Sequence, residues 1–197
     1  MIKAIIFDFD GVIHDTLTIA YSINNKLMPD VTLEAYKDFF NGNIYEHTDI
    51  PKENYKKYFE MQHLEYEHLL VKGSIKKTIK TLSKKFKLFI ISSNQEKTIN
   101  MYFKNNSMQN IFSEILGFET HKSKEKKFRM ILDKYQLKKD EIIFVTDTLG
   151  DIIEANKVGI LTIAVDFGFH GKERLKIGKP AKIISKFTEL LEAVESF

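Results

Sequence analysis

Short apolar runs alternate along the chain with longer segments in which apolar residues recur at helical spacing. The first run, Ile2 to Phe7, is rich in branched residues, as expected for a strand covered on both faces. Further runs predict strands at Leu88 to Ile91, Ile142 to Val145 and Ile160 to Val165, and more weakly at Glu114 to Gly117 and Ala181 to Ser185. The spacing predicts helices between them at Ser74 to Lys85, Gln95 to Asn105, Lys124 to Tyr135, Asp151 to Val158 and Thr188 to Val194. This alternation predicts an α/β fold, a Rossmann-like three-layer α/β/α parallel sheet with right-handed crossovers.

One segment, residues 16–72, breaks the alternation because it contains helical patterns only. One face of a helix is formed by Tyr55, Tyr58, Phe59, Gln62, Tyr66, Leu69 and Leu70, with Pro51 suited to the first turn. The segment is much longer than a simple crossover, which needs about a dozen residues or more. We therefore expect a helical cap, residues 16–72, inserted after the first strand of a core that comprises residues 1–15 and 73–197. An elaborated crossover without a functional part is the alternative.

The composition limits the classes of protein to consider. A chain of 197 residues, 43% of them apolar, can bury one substantial core but is short for two independent domains. Lysine and arginine number 30 against 27 aspartates and glutamates, which gives no reason to expect a nucleic acid or membrane partner. The absence of cysteine fits a reducing compartment. No cationic leader or apolar run of ~20 residues is found, so we expect a soluble cytoplasmic protein of unknown oligomeric state.

Acidic residues follow two of the predicted strands at the point where each strand ends. Asp8 and Asp10 follow the first strand, Asp147 follows a later one, and Asp151 begins the next helix. Residues i and i+2 of an extended chain point the same way, and ligands bind at the carboxyl end of open parallel sheets. Two unit charges ~4 Å apart cost about 4 kcal/mol at an effective dielectric near 20, so a bound cation, with oxygen ligands favouring magnesium, would stabilise the cluster. Alternatively, these acids only form a turn with Gly11 and cap a helix.

The residues around these acids resemble a known family. FDFDGV at positions 7–12 and VTDTLGD at 145–151 resemble the first and fourth motifs of the haloacid dehalogenase superfamily. Between them, the apolar run followed by Ser92, Ser93 and Asn94 is similar to the second motif, and Lys124 at the head of a helix matches the third. The motifs occur in order and together span most of the chain. The resemblance implies a magnesium-dependent phosphotransferase with a small helical cap.

The resemblance also implies a role for each acid. Asp8 would be the nucleophile that takes the phosphoryl group onto its carboxylate, and Asp10 the general acid and base. Asp8, the backbone carbonyl of Asp10, and Asp147 would hold Mg²⁺, with Asp151 supporting the metal shell or Lys124. These roles agree with the chemistry, because a carboxylate attacks a dianionic ester only where a metal and a lysine neutralise the phosphoryl oxygens. Crowded carboxylates also raise one pKa, which lets Asp10 carry a proton near neutral pH.

The serines and lysines leave more than one assignment open. Ser92, with the backbone amide of Ser93, would bind phosphate oxygens, and it is favoured because it directly follows the apolar run. Lys124 would offset the charge of the phosphate, and it is favoured over Lys122 and Lys126 because apolar residues of its helix then share its buried face. The rest of the run HKSKEKK at 121–127 is interpreted as a solvated helix face.

The leading functional prediction is a phosphatase for a small phosphorylated metabolite, with the cap excluding water from the site. A β-phosphoglucomutase-like transfer is the alternative, since Gly11 and Val12 also resemble sugar-phosphate mutases of the family. A phospho-receiver domain, which holds phosphate as a switch and needs no cap, is a remote alternative. Dehalogenation is disfavoured because it needs no acid such as Asp10. Thr146 stands where members commonly have glycine, a change expected to leave the ligands intact.

Overall fold

In a computed structural model, which describes residues 1–46 and 51–197, six strands form one parallel sheet. The strands are β1 (Ala4–Phe7), β2 (Lys87–Ile91), β3 (Glu114–Leu116), β4 (Ile142–Thr146), β5 (Leu161–Val165) and β6 (Lys182–Ile184). Their order is β3-β2-β1-β4-β5-β6, so β1 and β4 lie side by side at the centre. The predicted parallel α/β sheet is therefore confirmed, and the strands differ from the predicted ranges only at their ends.

The helices of the described ranges are α1 (Leu17–Leu27), α2 (Leu33–Asp38), α3 (Lys52–Tyr66), α4 (Gly73–Leu82), α5 (Glu96–Asn105), α6 (Lys124–Tyr135), α7 (Leu149–Val158), α8 (Lys172–Ile177) and α9 (Leu190–Glu195). Short 3-10 turns lie at Phe39–Asn41, Ile44–Glu46, Lys139–Glu141 and Phe187–Glu189. The bounds of α6 match the prediction, whereas α8 lies where no element was predicted. No helix in this part of the chain is long and apolar enough to cross a membrane.

The sheet is covered on both faces, which explains why its two central strands, β1 and β4, are almost entirely apolar. Successive strand residues point to opposite faces, so Ile5 and Phe7 join one buried cluster while Ala4 and Ile6 join another. The first cluster includes residues of α4, α5 and α9, namely Ile79, Ile99 and Leu190. The second includes residues of α6 and α7, namely Phe128, Ile131 and Ala155. The fold thus has the three predicted layers.

Helices α1 to α3 lie over the carboxyl ends of the strands. The hydroxyl of Tyr66 in α3 donates to Asp10, which follows β1, and the hydroxyl of Tyr45 donates to the carbonyl of Ser93, which follows β2. A separate buried cluster joins this layer to the core through Phe169. We propose on this basis that residues 16–72 form a cap over a core of residues 1–15 and 73–197. Residues 47–50, which belong to the predicted cap, lie outside the described residues.

The predicted helical face of the cap extends too far along the chain. Helix α3 ends at Tyr66, so Leu69 and Leu70 lie beyond it, and Leu70 is 75% exposed. The backbone here is bound by a side chain of the core: Asn106 accepts from the Val71 amide at 2.8 Å and donates to the Leu69 carbonyl at 2.9 Å. These tertiary hydrogen bonds replace the helical ones, which apolar spacing alone did not indicate.

Candidate active site

The central strand β1 delivers the first two acids to the carboxyl edge of the sheet. The amide of Asp8 donates to the carbonyl of Val145 at 2.9 Å, so the pairing of β1 with β4 continues to this residue. The chain then turns at Gly11, whose φ of 73° lies in the left-handed region that favours glycine. Asp8 is buried and Asp10 partly buried, and both line one pocket.

Lys124 lies between two buried carboxylates. Its Nζ is 2.8 Å from Oδ2 of Asp8 and 2.6 Å from Oδ2 of Asp151. Burial by itself would lower the pKa of Lys124, but Asp151 and Asp8 raise it above its ordinary value. Burial likewise acts to raise the pKa of Asp151, but the charge of Lys124 and hydrogen bonding with Asp8, Lys124 and Thr146 together hold it below its ordinary value. Lys124 is therefore held cationic beside an ionised Asp151.

Of the lysines that the sequence left open, Lys124 is the one beside Asp8. Lys122 and Lys126 are exposed. Lys127, however, is fully buried and donates to the carbonyl of Ser92 at 2.5 Å, so the interpretation of the rest of this run as a solvated face is wrong for Lys127. Burial and the neighbouring Lys124 lower the pKa of Lys127 to about 7. Its position three residues after Lys124, on the same helix face, was the available signal.

Thr146 contributes more to the site than the sequence suggested. Its hydroxyl donates to Oδ2 of Asp151 at 2.6 Å, the same oxygen that contacts Lys124. The side chain that replaces the common glycine thus helps to hold Asp151 in place. Since Asp151 is occupied by Thr146 and Lys124, its contacts favour the second of the two expected roles, support of Lys124.

Asp147 has a buried carboxylate oxygen without a hydrogen-bond partner. It is fully buried, its Oδ2 accepts from the amide of Phe169 at 2.7 Å, and its Oδ1 has no hydrogen-bond partner. Burial raises the pKa of Asp147 to about 8, with Asp151 adding to the increase. Burial also raises the pKa of Asp8, and Asp151 and Asp147 add to it although Lys124 opposes them. One lysine therefore does not balance these carboxylates, and an unpaired buried acceptor is costly.

The residues present fit a magnesium ion of ordinary protein coordination. Mg²⁺ usually keeps several waters and is bound through one or two carboxylates, which Asp8 and Asp147 can provide. Within the described ranges, no three or more His, Cys, Asp or Glu side chains form a metal-binding group, so the site does not resemble an all-protein cage. Gly11 and Gly168 pack against Asp147, and a Cβ on Gly11 would lie 1.9 Å from its Oδ2. The carboxylate is thus fixed in position. The metal roles of Asp8, the Asp10 carbonyl, Asp147 and Asp151 remain predictions.

Asp10 is surrounded by hydrogen-bond donors from three different segments. Its Oδ1 accepts from the hydroxyls of Tyr66 and Thr16, the latter at 2.8 Å, and its Oδ2 accepts from Asn94 Nδ2 at 3.3 Å. Burial raises the pKa of Asp10, and these three donors, Tyr66 first, act in the opposite direction. The net direction is upward, so Asp10 can be protonated closer to neutral pH than an exposed aspartate. Tyr66 was predicted only as part of one face of a cap helix, and Asn94 only as part of the second motif without a role of its own.

The two serines follow β2 and lie beside the acids. Ser92 is buried, and its Oγ accepts from the amide of Asn94 at 3.0 Å. Both Ser92 and Ser93 line the pocket that contains Asp8, Asp10 and Lys124, as the second motif required of a phosphate-binding loop. Their binding of phosphate remains a prediction.

A histidine not singled out in the sequence connects the site to the cap. The amide of Leu149 donates to Nδ1 of His170 at 3.0 Å, so Nε2 carries the proton and donates to the carbonyl of Lys37 in α2 at 2.9 Å. His170 therefore ties the start of α7 to the cap. Nothing in the local sequence pattern indicated this contact.

Two adjoining pockets meet at Asp10. The polar pocket is lined by Asp8, Ser92, Lys124 and Asp151, and the second, aromatic pocket extends under α1 and α3. Asp10 and Ser93 line both. An acid at this boundary can protonate an atom that links one part of a ligand, bound in the polar pocket, to another part bound in the aromatic pocket.

Fold and site together define an α/β enzyme with a carboxylate and lysine centre at the carboxyl edge of a parallel sheet. The family model described as haloacid dehalogenase-like hydrolase matches residues 5–165, and the chain belongs to this family. The predicted family and hydrolase class are thus confirmed.

Individual relatives align with nearly the whole length of the chain. Phosphoglycolate phosphatase of Synechococcus elongatus is 23% identical, over 98% of this chain and 97% of its own. Pyrophosphatase PpaX of Bacillus mycoides is 22% identical, over 96% of this chain and 95% of its own. A solved haloacid dehalogenase-like hydrolase from Streptococcus pneumoniae has a TM-score of 0.77 at 22% identity and covers 98% of both chains, which shows the shared fold.

Proposed function

We propose that this chain is a magnesium-dependent phosphatase that hydrolyses a small-molecule phosphate monoester through an aspartyl phosphate on Asp8. The observation that supports this best is the contact of Asp8 with Lys124, in a polar pocket that adjoins a second, aromatic pocket, with Asp10 lining both. The named relatives, which act on phosphoglycolate or pyrophosphate, are consistent with cleavage of a phosphorus–oxygen bond. A phospho-receiver domain gains no support, because the family is one of hydrolases.

The first half of the reaction transfers the phosphoryl group to the protein. Asp8 Oδ attacks phosphorus, and the bond to the leaving oxygen breaks as Asp10 gives that oxygen its proton. Lys124 lowers the cost of bringing an anionic ester to an anionic nucleophile, and Ser92 with the amide of Ser93 orients the remaining oxygens. The products of this half are a free alcohol, phosphorylated Asp8 and ionised Asp10.

The second half restores the site. Ionised Asp10 takes a proton from water, the resulting hydroxide attacks phosphorus, and the bond to Asp8 breaks to release inorganic phosphate. The donors Tyr66, Thr16 and Asn94 hold Asp10 at the boundary of the two pockets for both steps. One group thus serves as acid and then as base.

Asp8, the carbonyl of Asp10, and Asp147 would hold the magnesium ion. When bound, the ion supplies positive charge that offsets the negative charge of the phosphoryl oxygens. Cap residues close the site from above and exclude bulk water. The absence of cysteine supports a reducing, cytoplasmic location.

The decisive experiment compares Asp8→Asn with Asp15→Asn, which makes the same change at an exposed aspartate of the neighbouring loop. Release of phosphate from p-nitrophenyl phosphate with Mg²⁺ should fall by about 10³-fold or more in Asp8→Asn, a loss typical of removing a nucleophile, and stay near wild type in Asp15→Asn. EDTA should suppress wild-type turnover, and Mg²⁺ should restore it. Full activity of Asp8→Asn, or metal-independent turnover, would contradict the proposal. Identification of the phosphorylated product separates hydrolysis from mutase-like transfer.

A further inference from the structure

The aromatic pocket under the cap has a composition that limits what can bind there. Its walls include the rings of Tyr36, Phe40, Tyr45, Tyr58 and Phe169. Flat aromatic faces pack against rings and other apolar surfaces of a ligand.

Two buried side chains of the pocket have polar atoms without a partner. Asn24 of α1 is 6% exposed and its Nδ2 donor is unpaired, and Gln62 of α3 is 3% exposed and its Oε1 acceptor is unpaired. Both residues line the pocket. Since buried polar groups are nearly always hydrogen-bonded, the pair indicates a ligand that presents an acceptor to Asn24 and a donor to Gln62.

The described lining of the pocket offers no counter-charge for a second anionic group on the ligand. Among the described residues that line it, no lysine, arginine or histidine is present, and its charged member is the acid Asp10. The ammonium of Lys122 lies 5.7 Å from the ring centre of Tyr45 and 5.9 Å from that of Tyr55, but it is not part of the lining. A carboxylate or second phosphate would lose its hydration here without gaining a counter-charge.

We infer that this pocket binds the leaving group of the substrate, and that the leaving group is an uncharged, ring-bearing alcohol with several hydroxyl or amide groups, such as a sugar or a nucleoside. The inference rests on the proposed phosphatase activity. It separates this chain from its relatives named for phosphoglycolate and pyrophosphate, whose leaving groups are small anions. Asn24 and Gln62 determine specificity by hydrogen-bonding the ring substituents.

Gln62 also connects the pocket to the acid. Its Nε2 donates to the hydroxyl of Tyr66 at 3.0 Å, and that hydroxyl donates to Asp10. A ligand donor that engages Oε1 of Gln62 therefore orders the same side chain that orients Tyr66. Gln62, which would bind the leaving group, is thus one hydrogen bond away from Tyr66, the residue that positions the acid Asp10.

A substrate panel on the wild-type protein tests the class of leaving group. The panel contains glucose 6-phosphate, a nucleoside 5′-monophosphate, phenyl phosphate, 2-phosphoglycolate and pyrophosphate, each with Mg²⁺. Either glucose 6-phosphate or the nucleoside 5′-monophosphate should have a kcat/KM about 100-fold or more above those of 2-phosphoglycolate and pyrophosphate, whose leaving groups are anionic. Such a ratio is expected for a site built around a substrate's polar groups. Which of them is faster separates a sugar from a nucleoside. Preference for phosphoglycolate or pyrophosphate would overturn the inference and leave the phosphatase activity standing.

The variant Asn24→Leu tests the polar contacts, with Asn25→Leu as the matched control at the next, exposed position of α1. The ratio of kcat/KM for the preferred substrate to that for phenyl phosphate, whose leaving group has no ring substituents, should fall about tenfold or more in Asn24→Leu. The ratio should not change in Asn25→Leu. An unchanged ratio in a folded Asn24→Leu protein would overturn the assignment of Asn24. Failure of every ester, phenyl phosphate included, would contradict the proposed function itself and with it the inference.

Discussion

Replacement of Asp147 by asparagine should stabilise the metal-free protein at alkaline pH while removing its activity. The carboxylate is fully buried, and its Oδ1 has no partner. Asparagine keeps an oxygen that can accept from the Phe169 amide and removes the negative charge. The side-chain NH₂ of the asparagine then takes the position of the unpaired Oδ1. A buried donor without a partner costs about 1–3 kcal/mol of stability at either pH.

The magnitude follows from the pKa of Asp147, which burial raises from 3.8 to about 8. Between these values the folded state binds a proton that the unfolded state does not, so stability is lost as pH rises through this window. Each pH unit is worth about 1.4 kcal/mol. From pH 5 to pH 8 the wild type should therefore lose roughly 4 kcal/mol through this group, and Asp147→Asn should not.

The assay is urea unfolding in EDTA at pH 5 and pH 8, supported by thermal unfolding at both values. Relative to wild type, Asp147→Asn should gain about 4 kcal/mol between the two conditions, equivalent to a relative shift on the order of 10 °C in Tm. The control is Asp140→Asn, the same change at an exposed aspartate. Added Mg²⁺ should stabilise the wild type at pH 8 and the variant much less, because a ligand of the folded state stabilises it in proportion to its affinity.

A pH-independent difference between Asp147→Asn and wild type would refute the electrostatic reasoning. Equal stabilisation of both proteins by Mg²⁺ would refute the role of Asp147 as a ligand, even if the pH effect were found. Phosphatase activity, expected to be lost in the variant, provides an independent readout.

Three further predictions concern the neighbours of these acids. Tyr66→Phe removes a donor that lowers the pKa of Asp10, so that pKa should rise, and the alkaline limb of the kcat/KM profile should move to higher pH; a shift to lower pH would contradict Asp10 as the acid. Gly11→Ala should destabilise the protein by about 2 kcal/mol or more and abolish turnover, because its Cβ would lie 1.9 Å from a buried carboxylate oxygen; near-native unfolding and activity would show that the turn can adjust. Lys127→Met removes the donor to the Ser92 carbonyl, and kcat/KM should fall about tenfold, whereas an exposed-site control, Lys126→Met, should not change it.

The sequence determined the parts of this protein that depend on local pattern. Central strands buried on both faces are almost entirely apolar, so short apolar runs located them, whereas the edge strands β3 and β6 left a weaker signal. Asp8 and Asp10 are separated by one residue, and Asp147 directly follows the adjacent strand β4, so their approach followed from strand geometry. Lys124 was favoured by the helical spacing of its apolar neighbours, and it lies beside Asp8.

Only the tertiary structure decided which side chains from distant segments meet these acids. Tyr66 of the cap helix α3 donates to Asp10, and His170 contacts the Lys37 carbonyl of α2. Neither contact leaves a periodic signal in the sequence. Lys127 was read as solvated because charge in a sequence suggests exposure, whereas the fold places a carbonyl acceptor beside its ammonium. The aromatic pocket, likewise, is formed by rings from several segments. Local pattern reports which face of an element is buried, but what that face contacts is fixed only when the elements pack together.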